Sequence, residues 1–131
     1  MGAVVEEALQ HILETYFATP GDFYVGLCAD VTIAKDAVYT DLTEVSGSNY
    51  ALIALSTITV AVNLTDNRKA TGNEVTFSAT GDWTLASSYF VITPDVAPGT
   101  YILISWDNLG TAVNLVNGED VSCTPTFLAN S

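Results

Sequence analysis

The sequence of 131 residues contains few basic residues, with 3 Lys plus Arg against 15 Asp plus Glu and a formal net charge of −12. Nucleic-acid binding needs clustered cations that neutralise phosphates, and an anionic membrane surface attracts the same cations. We therefore expect neither nucleic acid nor a membrane as a partner. The negative charge keeps copies of the chain apart and in solution; attachment to a basic patch on a partner is the alternative interpretation.

Residues that carry catalysis or hold metals are equally scarce. The one histidine, His11, lies on the polar face of a predicted helix, between Glu7 and Glu14. Cys28 and Cys123 are far apart and match no Cys-x-x-Cys pattern, so we expect free thiols, with a disulfide between them as the alternative. The sequence has no EF-hand, phosphate-binding loop or nucleophile elbow. It thus predicts no enzyme and no cofactor, and leaves open a calcium ion bound by loop carboxylates and carbonyls.

Long apolar runs are absent as well, since no run approaches the roughly 20 residues that a membrane-spanning helix needs. Glu6 and Glu7 stand where a secretory signal would carry basic residues, so we expect the chain to be made and folded in a cytoplasm. Charged residues make up only 14% of the chain, below the usual ~25%. This composition indicates either a surface rich in Ser, Thr and Asn or faces that are buried against partners.

What the sequence does contain is a series of short apolar stretches with strand-like alternation, separated by turn signals. Residues 3–17 differ, because their apolar residues recur at helical spacing. We predict a mainly β chain that forms a single domain over residues 1–131. An N-terminal amphipathic helix and turn occupy residues 1–19, and an antiparallel β-sandwich or jelly roll occupies residues 20–131.

Within the β-rich part, the pattern predicts where strands and loops lie. Residues 22–28 alternate as a strand does, and residues 50–64 form the longest apolar run, which we expect to bend midway and to lie near the centre of a sheet. Residues 29–43 are interpreted as a surface loop and residues 65–73 as an exposed hairpin loop. We expect residues 107–110 to form a hairpin turn.

Three segments carry a resemblance to a known family. They are Tyr24–Leu27 (YVGL), Thr43–Gly47 (TEVSG) followed closely by Tyr50-Ala51, and Val75–Trp83 (VTFSATGDW). In their order and approximate spacing they resemble a family of small phage virion proteins, variously described as capsid-decoration, head-fibre or tail-fibre-like proteins. The family often has an arginine just after Tyr-Ala, where this chain has Leu52, so a contact that relies on that basic group is not expected here.

The resemblance implies a non-enzymatic structural protein of the virion. It favours a capsid decoration or cement protein that binds the major capsid protein on the outside of the shell and stabilises it as a symmetric oligomer, with a trimer favoured. A tail or fibre component, or an adaptor between fibre and particle, is the first alternative. A carbohydrate-binding module used in adsorption is the second, because exposed aromatic side chains can stack on sugars.

The candidate contact residues follow from this interpretation. The apolar side of the predicted helix and the strand after it are expected to dock on the shell or on other copies, and Trp83 is expected at a rim because it follows a turn. The candidate interface residues are Val5, Leu9, Ile12, Leu13, Tyr16, Phe17, Phe23, Val25 and Trp83. The polar segments around Arg68-Lys69 and residues 117–120 are expected on the outer surface.

Overall fold

The computed structural model describes residues 6–62 and 67–130. In chain order its elements are α1 (Glu6–Tyr16), β1 (Tyr24–Cys28), β2 (Ile53–Ala54), β3 (Ile58–Val62), β4 (Asn67–Gly72), β5 (Val75–Ser78), β6 (Ala86–Pro94), β7 (Tyr101–Val113), β8 (Asp120–Cys123) and β9 (Thr126–Asn130), with 3₁₀ turns at Pro20–Asp22 and Tyr39–Asp41. All strand pairings between these elements are antiparallel. The prediction of a mainly β chain with antiparallel sheets and one helix near the N-terminus is confirmed.

The strands form a four-stranded sheet in the order β2-β1-β6-β7, a three-stranded sheet in the order β3-β4-β9, and a two-stranded sheet of β5 and β8. β1 and β6 are the central pair of the largest sheet, with Val25 opposite Val91 and Leu27 opposite Tyr89. β2 and β7 are therefore the two edges of this sheet.

The main core lies on one face of the four-stranded sheet. Side chains alternate along a strand, so Val25 and Leu27 of β1 point to the same side and are fully buried. They belong to one apolar cluster with Ala70 of β4, Phe77 of β5 and Phe127 of β9. This cluster thus connects the four-stranded sheet with both smaller sheets.

A second apolar cluster covers the opposite face of the four-stranded sheet. It contains Cys28, Phe90 and Ile92, which are fully buried, together with Ile33. Side chains from residues 29–43, Tyr39 among them, pack over these strands. The prediction of a surface loop here misses this role, because the apolar residues of the segment are spaced too irregularly to show a helical or strand period.

The long apolar run of residues 50–64 is not one central strand. It divides into β2, at an edge of the four-stranded sheet, and β3, at an edge of the three-stranded sheet. Between them Leu55 is buried and its N–H donates to the carbonyl of Phe23 at 2.9 Å. The amide oxygen of Asn73 accepts the N–H groups of Ser56 and Thr57 at 2.8 and 3.1 Å. These bonds hold the chain where it passes from one sheet to another.

Two predicted turns are strands in the structure. Residues 67–72 of the expected hairpin loop form β4, the middle strand of the three-stranded sheet, while residues 63–66 lie outside the described residues. Residues 107–110 do not reverse the chain, because β7 continues to Val113. Gly110 has a φ of +90°, and the β6–β7 register shifts in this region. The turn-forming residues therefore make a bulge instead of a hairpin.

Candidate functional site

One side of helix α1 is anchored in the core. The helix packs on β3 and β4, where Leu9 is buried and Leu13 is partly buried. Phe17, just after the helix, is buried, and its ring centroid lies 5.0 Å from that of Phe23 and 4.9 Å from that of Phe127. Deleting residues 1–18 would therefore remove part of the core, so the contacts of the helix are better tested by substituting its exposed residues.

Next to this anchored side, the apolar stripe of the helix continues onto an exposed flank. Ile12 and Tyr16 are one turn apart and are 52% and 49% exposed, so they lie on the same side of the helix. We call these two residues the helix surface. Tyr16 also lines an open cleft of about 390 Å³ together with Phe23, Thr93 and Ile102 of β7, and Ile102 is itself 44% exposed. Large apolar side chains exposed next to one another are typical of protein contacts.

The structure separates the predicted interface residues into three groups. Ile12 and Tyr16 are exposed, and Leu13 is partly buried. Leu9, Phe17, Phe23, Val25 and Trp83 are buried. In the folded chain these five side chains are buried, all but Leu9 of them within the main apolar cluster, so they are not exposed for a contact with another protein. Val5 lies outside the described residues.

Ile102 was not predicted from the sequence. The stretch Tyr101–Trp106 is apolar on both sides, a pattern that is typical of a buried central strand. The structure instead places it on an edge strand, where Ile102 is left exposed.

Trp83 does not lie at a rim. It is 4% exposed, its indole Nε1–H donates to the carbonyl of Ser48 at 2.7 Å, and its ring stands edge-on to Tyr50 at a centroid distance of 5.4 Å. A Cβ on Gly47 would lie 2.3 Å from the Trp83 ring. Glycine at position 47 therefore allows the tryptophan to pack against the turn, and the folded chain does not offer this ring to a sugar.

The segment Thr43–Gly47 also organises a polar cluster. The hydroxyls of Tyr39 and Tyr50 donate to the two oxygens of the Glu44 carboxylate, the latter at 2.7 Å. The backbone N–H of Leu27 donates to the Tyr50 hydroxyl at 3.0 Å. Because both carboxylate oxygens accept a tyrosine hydroxyl, the cluster ties the segment to β1 and to the residues that cover the second core.

Tyr50 makes the stability of the chain sensitive to alkaline pH. Burial raises the pKa of its hydroxyl above the usual 10.0, and the hydrogen bond to Glu44 raises it further. Above pH 10 the unfolded chain loses this proton while the folded chain keeps it. The contribution of Tyr50 to the free energy of unfolding is therefore complete below pH 10 and is lost as pH rises toward the folded-state pKa.

We expect Tyr50→Phe to lower the free energy of unfolding at pH 7 by about 1–3 kcal/mol, because the Leu27 N–H and the Glu44 carboxylate lose a partner. The variant should also lose stability less steeply than the wild type above pH 10. Urea unfolding at several pH values measures both effects. Tyr24→Phe is the matched control, because this partly buried hydroxyl makes no hydrogen bond within the described residues. Equal losses in the two variants would contradict the assigned role.

The residues with catalytic or ligating chemistry do not converge on a site. Both cysteines are free, as predicted, and burial raises the pKa of Cys28 to about 11 and that of Cys123 to about 12. At neutral pH they are thiols, which are poor nucleophiles. His11 is exposed on the helix. Within residues 6–62 and 67–130, no three or more His, Cys, Asp and Glu side chains are grouped so that they could hold a metal ion.

Within the part of the chain that the structure describes, no helix is long and apolar enough to cross a membrane. Comparison of the chain with protein-family models, with curated proteins and with solved structures finds no match in any of the three.

Proposed function

We propose that this protein is a structural component of a phage virion, a capsid decoration protein that binds the major capsid protein on the outside of the shell. The observation that carries the proposal is the helix surface, where Ile12 and Tyr16 are about half exposed on a helix that Leu9 and Leu13 anchor in the core. The resemblance of the three sequence segments to small virion proteins supports it. In this account the protein is not an enzyme and acts by binding alone.

The physical basis is burial of apolar surface across seams of the shell. Burial contributes roughly 25 cal/mol for each Å² of apolar surface, so one pair of side chains supports only modest affinity. Copies that bind as a symmetric oligomer engage several equivalent sites at once, which multiplies the effect. With 15 acids and 3 basic residues in the chain, the complementary surface is expected to be neutral or basic.

We infer that the sheets are arranged as a β-sandwich. The main apolar cluster contains residues of the four-stranded sheet and of both smaller sheets, as expected where sheets pack face to face. The residues covering the second face would then form an additional layer. A sandwich of this kind provides a rigid support for the helix surface and needs no cofactor for its stability.

Mixing the purified protein with shells assembled from the major capsid protein alone tests the proposed function. We expect the protein to sediment with the shells and to saturate at a ratio set by the shell lattice. Protein that stays in the supernatant with shells, and sediments with isolated tails or fibres, would overturn the decoration proposal in favour of a tail or fibre component.

The carbohydrate-binding alternative loses its best candidate residue, because Trp83 is buried. A screen of the protein against immobilised glycans is expected to show no binding. Glycan binding that persists in Ile12→Asp/Tyr16→Asp would contradict the proposal, since it would place the function away from the helix surface.

A further inference from the structure

The first half of β7 is uncharged and lies at the edge of its sheet, where the outward backbone groups have no strand partner within the described residues. β7 is an edge strand of the four-stranded sheet, and within the described residues no other segment forms backbone hydrogen bonds along its outer side. Residues 100–106, TYILISW, contain no charged residue and no proline. Natural edge strands are commonly protected by Lys, Pro, bulges or shortness. This stretch has neither charge nor proline, and its register with β6 shifts only after Leu103. An edge of this composition is suited to pair with another strand.

The hydrogen bonding of the preceding turn shows which backbone groups face outward. The N–H of Asp95 donates to the carbonyl of Thr100 at 2.9 Å, immediately before β7. Bonded and non-bonded residues alternate along an antiparallel ladder, so Ile102 bonds to β6 whereas Tyr101 and Leu103 turn their N–H and C=O groups away from the sheet. The open edge therefore offers one donor and one acceptor on each side of Ile102.

Beyond this stretch, polar groups of β7 already have hydrogen-bond partners within the chain. The N–H of Asn108 donates to the carboxylate of Asp107 at 2.8 Å, and the Asn108 side chain donates to the carbonyl of Val31 and to the hydroxyl of Ser88. The opposite edge of the sheet, β2, has only two residues. The first half of β7 is thus the part of this sheet that is best suited to strand pairing.

We propose that two copies of this chain pair through β7, antiparallel and about a twofold axis at Ile102, so that their four-stranded sheets join into one. In this register Tyr101 of each copy lies opposite Leu103 of the other, and the outward N–H and C=O groups of the two residues bond to each other. Ile102 lies opposite its own counterpart in a pair without hydrogen bonds, where the Cβ atoms are about 4.5–5.5 Å apart. The pairing would bury the exposed Ile102 against a second Ile102.

The charges of the chain favour this register. The nearest acids along the sequence are Asp95 and Asp107. Pairing about Ile102 joins residues 101–103 of the two copies, whereas Asp95 lies in the turn before β7 and Asp107 lies further along the strand, so no carboxylate enters the paired segment. Two copies of a chain with a net charge of −12 repel each other on average, and an uncharged segment is where they can approach at the least cost.

The inference does not rest on the proposed function, because it concerns pairing of the free protein. A twofold contact joins copies in pairs, whereas the resemblance implies three copies. The helix surface defined by Ile12 and Tyr16 takes no part in the backbone pairing, but Tyr16 lines the same cleft as Ile102. Pairing is therefore measured on the free chain, and shell binding is tested with Ile12→Asp/Tyr16→Asp, in which Ile102 is unchanged. Failure of the pairing and failure of the proposed function are therefore distinguishable.

Sedimentation velocity of the full chain over a range of concentrations tests the pairing. We expect a species of twice the 13.9 kDa chain. Ile102→Lys should weaken the dimer by about tenfold or more, equivalent to roughly 1.4 kcal/mol. Val96→Lys is the matched control, because Val96 is 98% exposed in the turn before β7 and the change in charge is the same. Circular dichroism verifies that both variants fold.

A cysteine at the proposed axis provides a second readout. In a Cys123→Ser background, where the remaining Cys28 is fully buried, Ile102→Cys should form a disulfide between two chains under mild oxidation. Val96→Cys in the same background should stay uncrosslinked. A wild-type chain that is monomeric or trimeric at all concentrations, an Ile102→Lys variant that associates like Val96→Lys, or equal crosslinking of both cysteine variants would overturn the proposal.

Discussion

Gly26→Ala is expected to lower the free energy of unfolding by about 3 kcal/mol or more, a large part of the ~5–15 kcal/mol that stabilises a typical domain. A Cβ at position 26 would lie 2.3 Å from the ring of Phe90 and 2.8 Å from Leu52. Phe90 is fully buried in the second apolar cluster, so its ring has no free space into which it can move. Overpacking of this kind strains the side chains and the central strands.

Gly21→Ala is the matched control for this prediction. It makes the same chemical change, but a Cβ at position 21 has no heavy atom within 4 Å outside its own turn of the chain. Its free energy of unfolding should be within about 0.5 kcal/mol of the wild type, as for most surface substitutions. Urea denaturation compares the two variants. Similar stabilities for Gly26→Ala and Gly21→Ala would show that β1 and β6 do not pack as described.

Ile12→Asp/Tyr16→Asp is expected to abolish binding to capsid shells while leaving the chain folded. Both side chains are about half exposed, so the new carboxylates reach water when the protein is free. The Tyr16 ring also packs against Phe17 and Phe23 at centroid distances of 5.2 and 5.6 Å, so circular dichroism verifies that the variant is folded. In the bound state the same carboxylates would be buried opposite the shell, where an unpaired charge is costly. We expect the affinity to fall by about a hundredfold or more, equivalent to roughly 2.7 kcal/mol. Sedimentation with shells measures it.

Val31→Asp/Val116→Asp is the control for charge, because Val31 and Val116 are exposed and apolar and lie in the segments after β1 and before β8. It adds the same two carboxylates and should bind shells within about twofold of the wild type, a difference of roughly 0.4 kcal/mol. Equal losses of binding in the two double variants would mean that total charge, and not the helix surface, governs attachment. Undiminished binding of Ile12→Asp/Tyr16→Asp would place the contact elsewhere on the protein.

The strands that could be predicted are those whose sequence alternates. Val25 and Leu27 enter the main core while Tyr24 and Cys28 face the second cluster, as the pattern of residues 22–28 indicates. The prediction of one central strand over residues 50–64 is wrong, because the run is mostly apolar and its few polar residues do not show where the chain leaves one sheet for another. An apolar run suggests burial, yet of its described side chains only that of Leu55 is buried, at the point where the chain passes between two sheets. The sequence does not record which strands pair.

The candidate site was predicted only in part, for a related reason. The helical spacing correctly groups Leu9, Ile12, Leu13 and Tyr16 on one stripe, but the structure covers only one side of that stripe. How much of a helix is covered depends on the strands beneath it, which are distant in sequence. Glu44 illustrates the same limit, because its role depends on Tyr39, Tyr50 and the backbone of Leu27 meeting in space.

The most direct test of the proposed function is the number of copies of this protein in the purified phage particle, measured by quantitative mass spectrometry against the major capsid protein. A decoration protein bound across the shell predicts a ratio of the same order as the capsid protein. A ratio far below it, or absence of the protein from the particle, would contradict a place on the shell.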